Sequence, residues 1–339
     1  MRRPRSRWLS LRNPADIVLG MKETAALSVR GLVKEFDGVV AVRNLDLDVP
    51  AGGIFGLLGP NGSGKTTTIR TTLGIYVPDG GTVRLLGSPD PRAVRSRIGY
   101  LPEERGLYPK MKLQEQLAFL GTIRGLPHRE ANRRAGEWLE RLDLGDRAAS
   151  QTNELSKGMQ QKVQFAAAVI HEPELVVLDE PFSGLDPVNT RLLKDLILAQ
   201  RDRGCTVVLS SHRMEQVEQM CDAIGLIHRG ELVLHGVLSE IKSRYGKSTL
   251  AIQYVGSADD LESVPGVRHV TDSGRTARLQ LEPGADPQAI IRTLLDRVTV
   301  ESFRNEEPSV EDIFLEMVGA TSTAAAAREN MAESPEARA

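Results

Sequence analysis

Two rhythms of apolar residues alternate along this chain. Unbroken runs, Ile54-Phe-Gly-Leu-Leu58, Leu175-Val-Val-Leu178 and Thr206-Val-Val-Leu-Ser210, predict strands buried on both faces of a parallel sheet. Alternating stretches, Leu27-Ser-Val29 and Leu45-Asp-Leu-Asp-Val49, predict a small antiparallel layer, and Thr82-Val-Arg-Leu-Leu86 adds a strand after the turn at Pro78-Asp-Gly-Gly81. Between residues 113 and 142 the spacing becomes helical. Leu113, Leu117 and Leu120 share one face, and after Gly125-Leu-Pro127 so do Ala131, Ala135, Trp138, Leu139 and Leu142. A further helix opens at Leu155-Ser-Lys-Gly-Met-Gln160, with Met159, Val163, Ala166, Ala167 and Ile170 on its apolar face. Met214, Val217 and Cys221 predict another, followed by a hairpin of Ile224–Ile227 and Glu231–His235 turning at Arg229-Gly230.

From residue 237 the pattern starts afresh. Residues 237 to 246 read as a connector helix, then Thr249–Val255, Ala277–Leu281 and Val298–Phe303 read as strands. Pro287–Arg297 and Ser309–Met317 read as helices, the second capped by Ser309 with Asp312 three residues on. This is a compact α+β domain of roughly ferredoxin-like pattern, without a catalytic constellation. The expected division is an extension over residues 1–24, a main domain over 25–246, the α+β domain over 247–319 and a disordered, Ala-rich tail over 320–339.

Candidate chemistry sits at the ends of the buried strands. Gly59-Pro60-Asn61-Gly62-Ser63-Gly64-Lys65-Thr66, running into Thr67, fits the phosphate-cradling pattern G-x-x-x-x-G-K-[ST] between a strand and a helix. Its backbone N–H groups and helix N-terminus suit an anion, Lys65 reaches the β- and γ-phosphates, and the Thr66 hydroxyl suits Mg²⁺. Asp179 and Glu180 close a strand that has no structural use for two acids. They read as the side of Mg²⁺ and as the general base for an attacking water. Ser156, a natural N-cap, and Gly158 make a second phosphate-binding helix start away from the first. Two half-sites in one chain suggest two chains completing two sites. His212, just past a buried strand, reads by itself as a polar cap.

In order and spacing these segments resemble the nucleotide-binding subunit of an ABC transporter. The resemblance spans about residues 27 to 236: Gly59–Thr66 matches Walker A, Leu155–Gln160 the signature, and Leu175–Glu180 Walker B. Ser183–Asp186 matches the D-loop and His212 the switch histidine. It implies an α/β fold, a P-loop NTPase (RecA-like) core with a small antiparallel β layer and a helical subdomain, plus the small C-terminal α+β domain. It further implies ATP and Mg²⁺ as cofactors, Asp186 at the nucleotide, and a role for His212 in hydrolysis. Phe36 stands where the family stacks an aromatic ring on adenine; an ordinary edge-strand core residue is the other reading. Glu103 replaces the family's Gln, and either ligates Mg²⁺ or points to solvent on a loop that touches the membrane subunit. Lys157 and Met159 also depart from the commoner signature. Both variants resemble the subgroup serving export-type, ABC-2-like permeases, for substrates such as sodium or drug-like compounds.

Composition narrows the partners. The chain has 339 residues, 40% of them hydrophobic, and a net charge of -2 that gives no electrostatic case for nucleic acid. Cys205 and Cys221 form no C-x-x-C and read as buried thiols of a reducing cytoplasm. No stretch approaches the ~20 apolar residues that span a bilayer, so transport requires a separate integral-membrane permease. The resemblance places the chain on the inner face of the membrane through that permease, as a homodimer or heterodimer of ATPase subunits. A soluble ABC-type ATPase acting on ribosomes or DNA is the rival reading. Against it stand the single P-loop, the single signature and a helical insert of only about 40 residues. The Arg-rich start, ahead of Met21, is either a basic arm or an upstream start.

Overall fold

The computed structural model describes residues 25–104, 106–245, 249–257, 259–282 and 284–318. The expected extension over 1–24 and the tail over 320–339 lie outside them. The chain divides into two compact units, Met1–Val237 and Leu238–Ala339.

In the first unit, β1 (Ala25–Phe36) pairs antiparallel with β2 (Val39–Pro50) and with β4 (Gly80–Leu85), giving a three-stranded sheet of order β2-β1-β4. Alternation works as expected here, since Leu27, Val29, Leu45, Leu47 and Val49 all point into the core. Asp37 and Gly38, both with positive φ (47° and 80°), form the two-residue turn that leaves Phe36 opposite Val39 at the hairpin's end.

The second sheet holds β3 (Ile54–Leu58), β5 (Ile98–Leu101), β6 (Leu175–Asp179), β7 (Thr206–Ser211), β8 (Ala223–His228) and β9 (Glu231–Val237), in the order β5-β6-β7-β3-β8-β9. All pairs are parallel except β8 with β9. β3, β6 and β7 are buried at every position, which their unbroken apolar runs require. Register aligns their carboxyl ends: Asp179 lies opposite Ser210, and Leu58 opposite Ser211. Loops leaving these three strands therefore emerge together, where open α/β sheets bind ligands.

Helices α1 (Lys65–Thr72), α2 (Leu113–Ile123), α3 (His128–Arg141), α4 (Lys157–Val169), α5 (Pro187–Asp202) and α6 (Met214–Glu218) complete the unit. Leu113, Leu117, Ala131, Ala135, Trp138, Leu139 and Leu142 are buried as their spacing predicts, with Leu120 half-buried. Helix α4 departs from its expected single apolar face. Met159 and Ala167 are only half-buried, whereas Gln160, Gln161, Lys162 and Gln164 are buried. Each buried polar group finds a loop carbonyl: Gln160 Nε2 donates to Leu155 O (3.0 Å), Gln161 Nε2 to Pro181 O (3.0 Å) and Lys162 Nζ to Leu142 O (2.8 Å). Gly99 lets β5 lie against this helix, since a Cβ there would come within 2.0 Å of Ala168 O.

The second unit contains α7 (Leu238–Tyr245), β10 (Thr249–Val255), α8 (Asp259–Glu262), β11 (Val267–Asp272), β12 (Thr276–Leu281), α9 (Pro287–Leu295), β13 (Thr299–Glu306) and a closing helix over 310–318. Its four strands pair antiparallel in the order β11-β12-β10-β13, a ferredoxin-like arrangement. Leu250, Ile252, Tyr254, Leu279 and Leu281 from the sheet pack with Leu261, Ile290 and Leu294 from the helices. Ser309 and Asp312 cap the last helix reciprocally: Asp312 N donates to Ser309 Oγ (3.1 Å) and Ser309 N to Asp312 Oδ2 (2.9 Å). Helix α7 falls within this unit, so the division comes before the expected break after residue 246. Strand β11 adds a fourth strand to the three expected.

Candidate active site

Between β3 and α1 the chain can follow its path only with glycine at two of the loop's ends. Gly59 has φ 150° and a Cβ there would sit 2.2 Å from Ile227 O; Gly64 has φ 106° and a Cβ would sit 2.6 Å from Ala41 O. Gly64 is the N-cap of α1 and has no side chain to satisfy the first amides, which leaves these donors for an anion. Pro60, Asn61 and Gly62 form the outer part of the loop, with Asn61 and Gly62 exposed, while Ser63 is buried beneath. Lys65 folds back along the loop, its Nζ donating to Gly59 O (2.8 Å) and Pro60 O (3.1 Å) and lying 3.6 Å from Glu180 Oε1. Burial lowers the Lys65 pKa, partly offset by the charges of Glu180 and Asp179. Thr66 Oγ1 donates to Asp179 Oδ1 (3.2 Å), and half-buried Thr67 accepts from Thr71 Oγ1 (2.7 Å) through its carbonyl.

The two acids end β6 and start the next turn. Asp179 is fully buried, and burial raises its pKa above the ordinary carboxylate value, with hydrogen bonds from Ser210 and Thr66 opposing. Glu180 has φ 49°, a left-handed conformation that a non-glycine residue holds only when its surroundings fix it. His212 Nδ1 lies 3.0 Å from Glu180 Oε2, so this histidine is part of the site rather than a strand cap. Ser210 belongs here too, although sequence reasoning passed over it. Its Oγ donates to Asp179 Oδ1 (2.6 Å) and accepts from Glu180 N (3.0 Å). Asp179 Oδ2 is buried with no hydrogen-bond donor. A buried anionic oxygen left open beside a threonine hydroxyl is a hard-oxygen donor set that fits Mg²⁺.

Other expected residues lie around this centre. Phe36 is 39% exposed, edge-on to Tyr76 (centroids 5.2 Å apart), with Lys34 Nζ over its ring at 5.0 Å, so it is not a core residue. Glu103 is exposed on the loop after β5, close enough for its charge to act on Lys65. Ser156 caps α4 by accepting from Met159 N (3.3 Å). Gly158 packs toward Asn189, whose backbone N–H donates to Asp186 Oδ1 (2.8 Å) at the start of α5. Ser156, Gly158 and Asp186 thus form a surface of their own, with hydrogen bonds to Met159 and Asn189 rather than to the loop at 59–66.

The family model described as ABC transporter matches residues 42–183, and that described as ATP-binding protein DrrA1-3-like, C-terminal domain, matches residues 236–318. The uncharacterized ABC transporter ATP-binding protein YhaQ of Bacillus subtilis is 43% identical over 87% of this chain and 99% of its own length. The chain belongs to the ABC transporter ATP-binding proteins. This ABC ATPase is also 33% identical to the daunorubicin/doxorubicin resistance ATP-binding protein DrrA of Streptomyces peucetius, over 89% of the chain and 94% of the relative. A solved structure of the ATP-binding subunit of an ABC transporter superposes with a TM-score of 0.61 at 32% identity, covering 66% of this chain and 94% of that one. The reaction of such a domain is ATP hydrolysis. These likenesses favour the transport reading over a soluble ATPase acting on ribosomes or DNA. Among the described residues no helix is long and apolar enough to cross a membrane.

Proposed function

We propose that this ABC ATPase drives export through a separate membrane permease, held at the inner face of the membrane, with two ATPase chains facing each other. The observation that carries the catalytic part is the grouping of buried Lys65, Asp179 and Glu180, the two acids joined through Ser210, with the exposed His212 against Glu180. Lys65 sits against the carbonyls of Gly59 and Pro60 and beside Glu180. A triphosphate in the loop offers Lys65 a stronger, multiply charged partner and draws it from Glu180. Glu180 Oε1 is then free to take a proton from water, while His212 keeps hold of Oε2. Phe36 stacks on the adenine. Thr66, Asp179 and Glu103 form the metal side, where Mg²⁺ would neutralise charge developing on the transferring phosphoryl group. Ser156, Gly158 and Asp186 close the site from the opposite chain.

A mostly apolar cleft of about 450 Å³ supports the permease part of the reading. Leu107, Leu120, Ile123, Ile75 and Tyr100 line it, Gln164 of α4 enters it, and it adjoins the Glu103 loop at Pro102 and Gly106. Tyr108 and Phe119, next in sequence to lining residues, stack edge to face and remain exposed. Such a patch at the mouth of a cleft suits an apolar-anchored protein segment. Of the sodium and drug-like compounds considered for transport, the likeness to the daunorubicin/doxorubicin resistance protein DrrA supports the second.

Glu180→Gln tests the catalytic assignment. It should bind ATP with Mg²⁺ yet hydrolyse it about 10²–10⁴-fold more slowly. It should also elute as a dimer in size exclusion when ATP is present and as a monomer when it is not. Unimpaired turnover in this variant would remove Glu180 from the mechanism.

A further inference from the structure

One hydroxyl in the core of the second sheet touches both acids of the site. Ser210 is fully buried near the end of β7, directly opposite Asp179 in the β6–β7 register. A serine hydroxyl has one proton to give and lone pairs to accept with. Here the proton goes to Asp179 Oδ1 at 2.6 Å, a short charge-assisted bond, and a lone pair takes the Glu180 N–H at 3.0 Å.

We propose that Ser210 is a positioning residue that sets the metal-side oxygen of Asp179 and the backbone of Glu180 together. The argument rests on the roles given above to those two acids. On Asp179, Ser210 and Thr66 both bond Oδ1, which fixes the carboxylate's rotation and leaves Oδ2 as the oxygen without a donor. On Glu180, the N–H bond to Ser210 holds a residue whose φ of 49° is unfavourable for any side chain but hydrogen. The carboxylate is thereby aimed back over the sheet edge toward Lys65 and His212. Alanine would leave a buried N–H unpaired and free Asp179 to turn, so the metal side and the base side should fail as a pair. Ser211 is the natural control. It is equally buried on the same strand, but its Oγ accepts from Arg213 N (3.0 Å) instead of touching the acids.

The test is a titration of the full chain with a fluorescent ATP analogue, first in EDTA and then against added Mg²⁺, alongside steady-state hydrolysis and a nucleotide-free thermal melt. For Ser210→Ala, affinity in EDTA should match wild type. The Mg²⁺ concentration giving half of the metal-dependent change should rise on the order of ten-fold, the scale of one hydrogen bond to a charged group. The turnover number should fall by at least as much, with little change in KM. Ser210→Thr, which restores a hydroxyl, should recover the Mg²⁺ midpoint, and Ser211→Ala should not move it. If Ser210→Ala yields no folded protein, Ser210→Cys, with a weak donor of similar size, should show the same shift in smaller measure. A Mg²⁺ midpoint in Ser210→Ala or Ser210→Cys that overlays wild type, while Asp179→Asn shifts it, would overturn the positioning role alone. If Asp179→Asn does not shift it either, the metal-side assignment falls first and the role of Ser210 with it.

Discussion

Helices α1 and α4 both begin with a glycine within reach of the cap and both are read as gripping phosphate, yet they start in opposite ways. At α1 the cap is Gly64, in a conformation and a space that admit only glycine and with no side chain to occupy the first-turn amides, and the next residue is a buried lysine. At α4 the cap is Ser156, whose own oxygen already takes the Met159 N–H, and the next residue, Lys157, is exposed. The first start has been kept open by the fold of a single chain. The second is satisfied as it stands, so under the proposed dimer a phosphate held by the other chain would have to compete with the Ser156 side chain for the Met159 amide. One chain therefore holds a nearly complete site and a stable half-site, and the asymmetry argues for catalysis across a dimer.

The sharpest way to break this comparison is to damage one start in each of two chains. Lys65→Ala alone should lower hydrolysis about 10²–10³-fold, the scale of removing one phosphate donor, and Ser156→Arg should do likewise by filling the half-site. Mixed together they form heterodimers in which an intact loop meets an intact signature, and activity should exceed that of either variant. Mixtures that never rise above the single variants would mean that each chain works alone.

The far end of α4 offers a second contrast, of a few kcal/mol. His171, just past the helix, is buried with its Nε2 3.2 Å from Ile98 O, and burial lowers its pKa from 6.5 to about 4. The unfolded chain takes up this proton below about 6.5, the folded one only below about 4, so stability falls as pH drops through that window and is unaffected above it. The loss amounts to about 3 kcal/mol by pH 4, from 1.36 kcal/mol per unit. Thermal melts between pH 7 and 4 should show His171→Gln losing less stability than wild type across this range. Parallel curves would remove His171 from the acid response.

Smallest are the effects of methyl groups at the two glycines. Gly64→Ala meets a backbone oxygen at 2.6 Å in a left-handed conformation and should cost about 1–3 kcal/mol of stability. Gly158→Ala meets the end of the Asn189 side chain at 3.3 Å and Leu185 Cδ2 at an ordinary 3.6 Å, and should melt within about 0.5 kcal/mol of wild type. Differential melts of nucleotide-free protein compare them directly. Equal losses would contradict the view that only the first start requires glycine.

What the sequence revealed follows the same division. Unbroken apolar runs and a fixed glycine-lysine spacing are consequences of burial and backbone geometry, so β3, β6, β7 and the loop at 59–66 could be read with their boundaries nearly right. Helix α4 could be placed, but the burial of its polar side could not be read, because Gln160, Gln161 and Lys162 look like a wet face until the loops that satisfy them are in place. Strand β11 escaped notice for a related reason: as an edge strand it buries Val270 alone and shows no alternation. Ser210 is a small residue at a strand end, and only the register that sets it opposite Asp179 gives it a function.

The buried polar side chains of α4 also constrain how that helix can move. Gln160, Gln161 and Lys162 point in successive directions around its axis, and each is tied to the carbonyl of a different loop residue, Leu155, Pro181 and Leu142. Turning the helix about its own axis would strand all three groups at once, at about 1–3 kcal/mol each. Displacement as a rigid body together with those loops breaks none of them. Because Pro181 directly follows Glu180, such a body would carry one end of that turn with it, so a push on α4 would reach Glu180 through the Gln161 side chain.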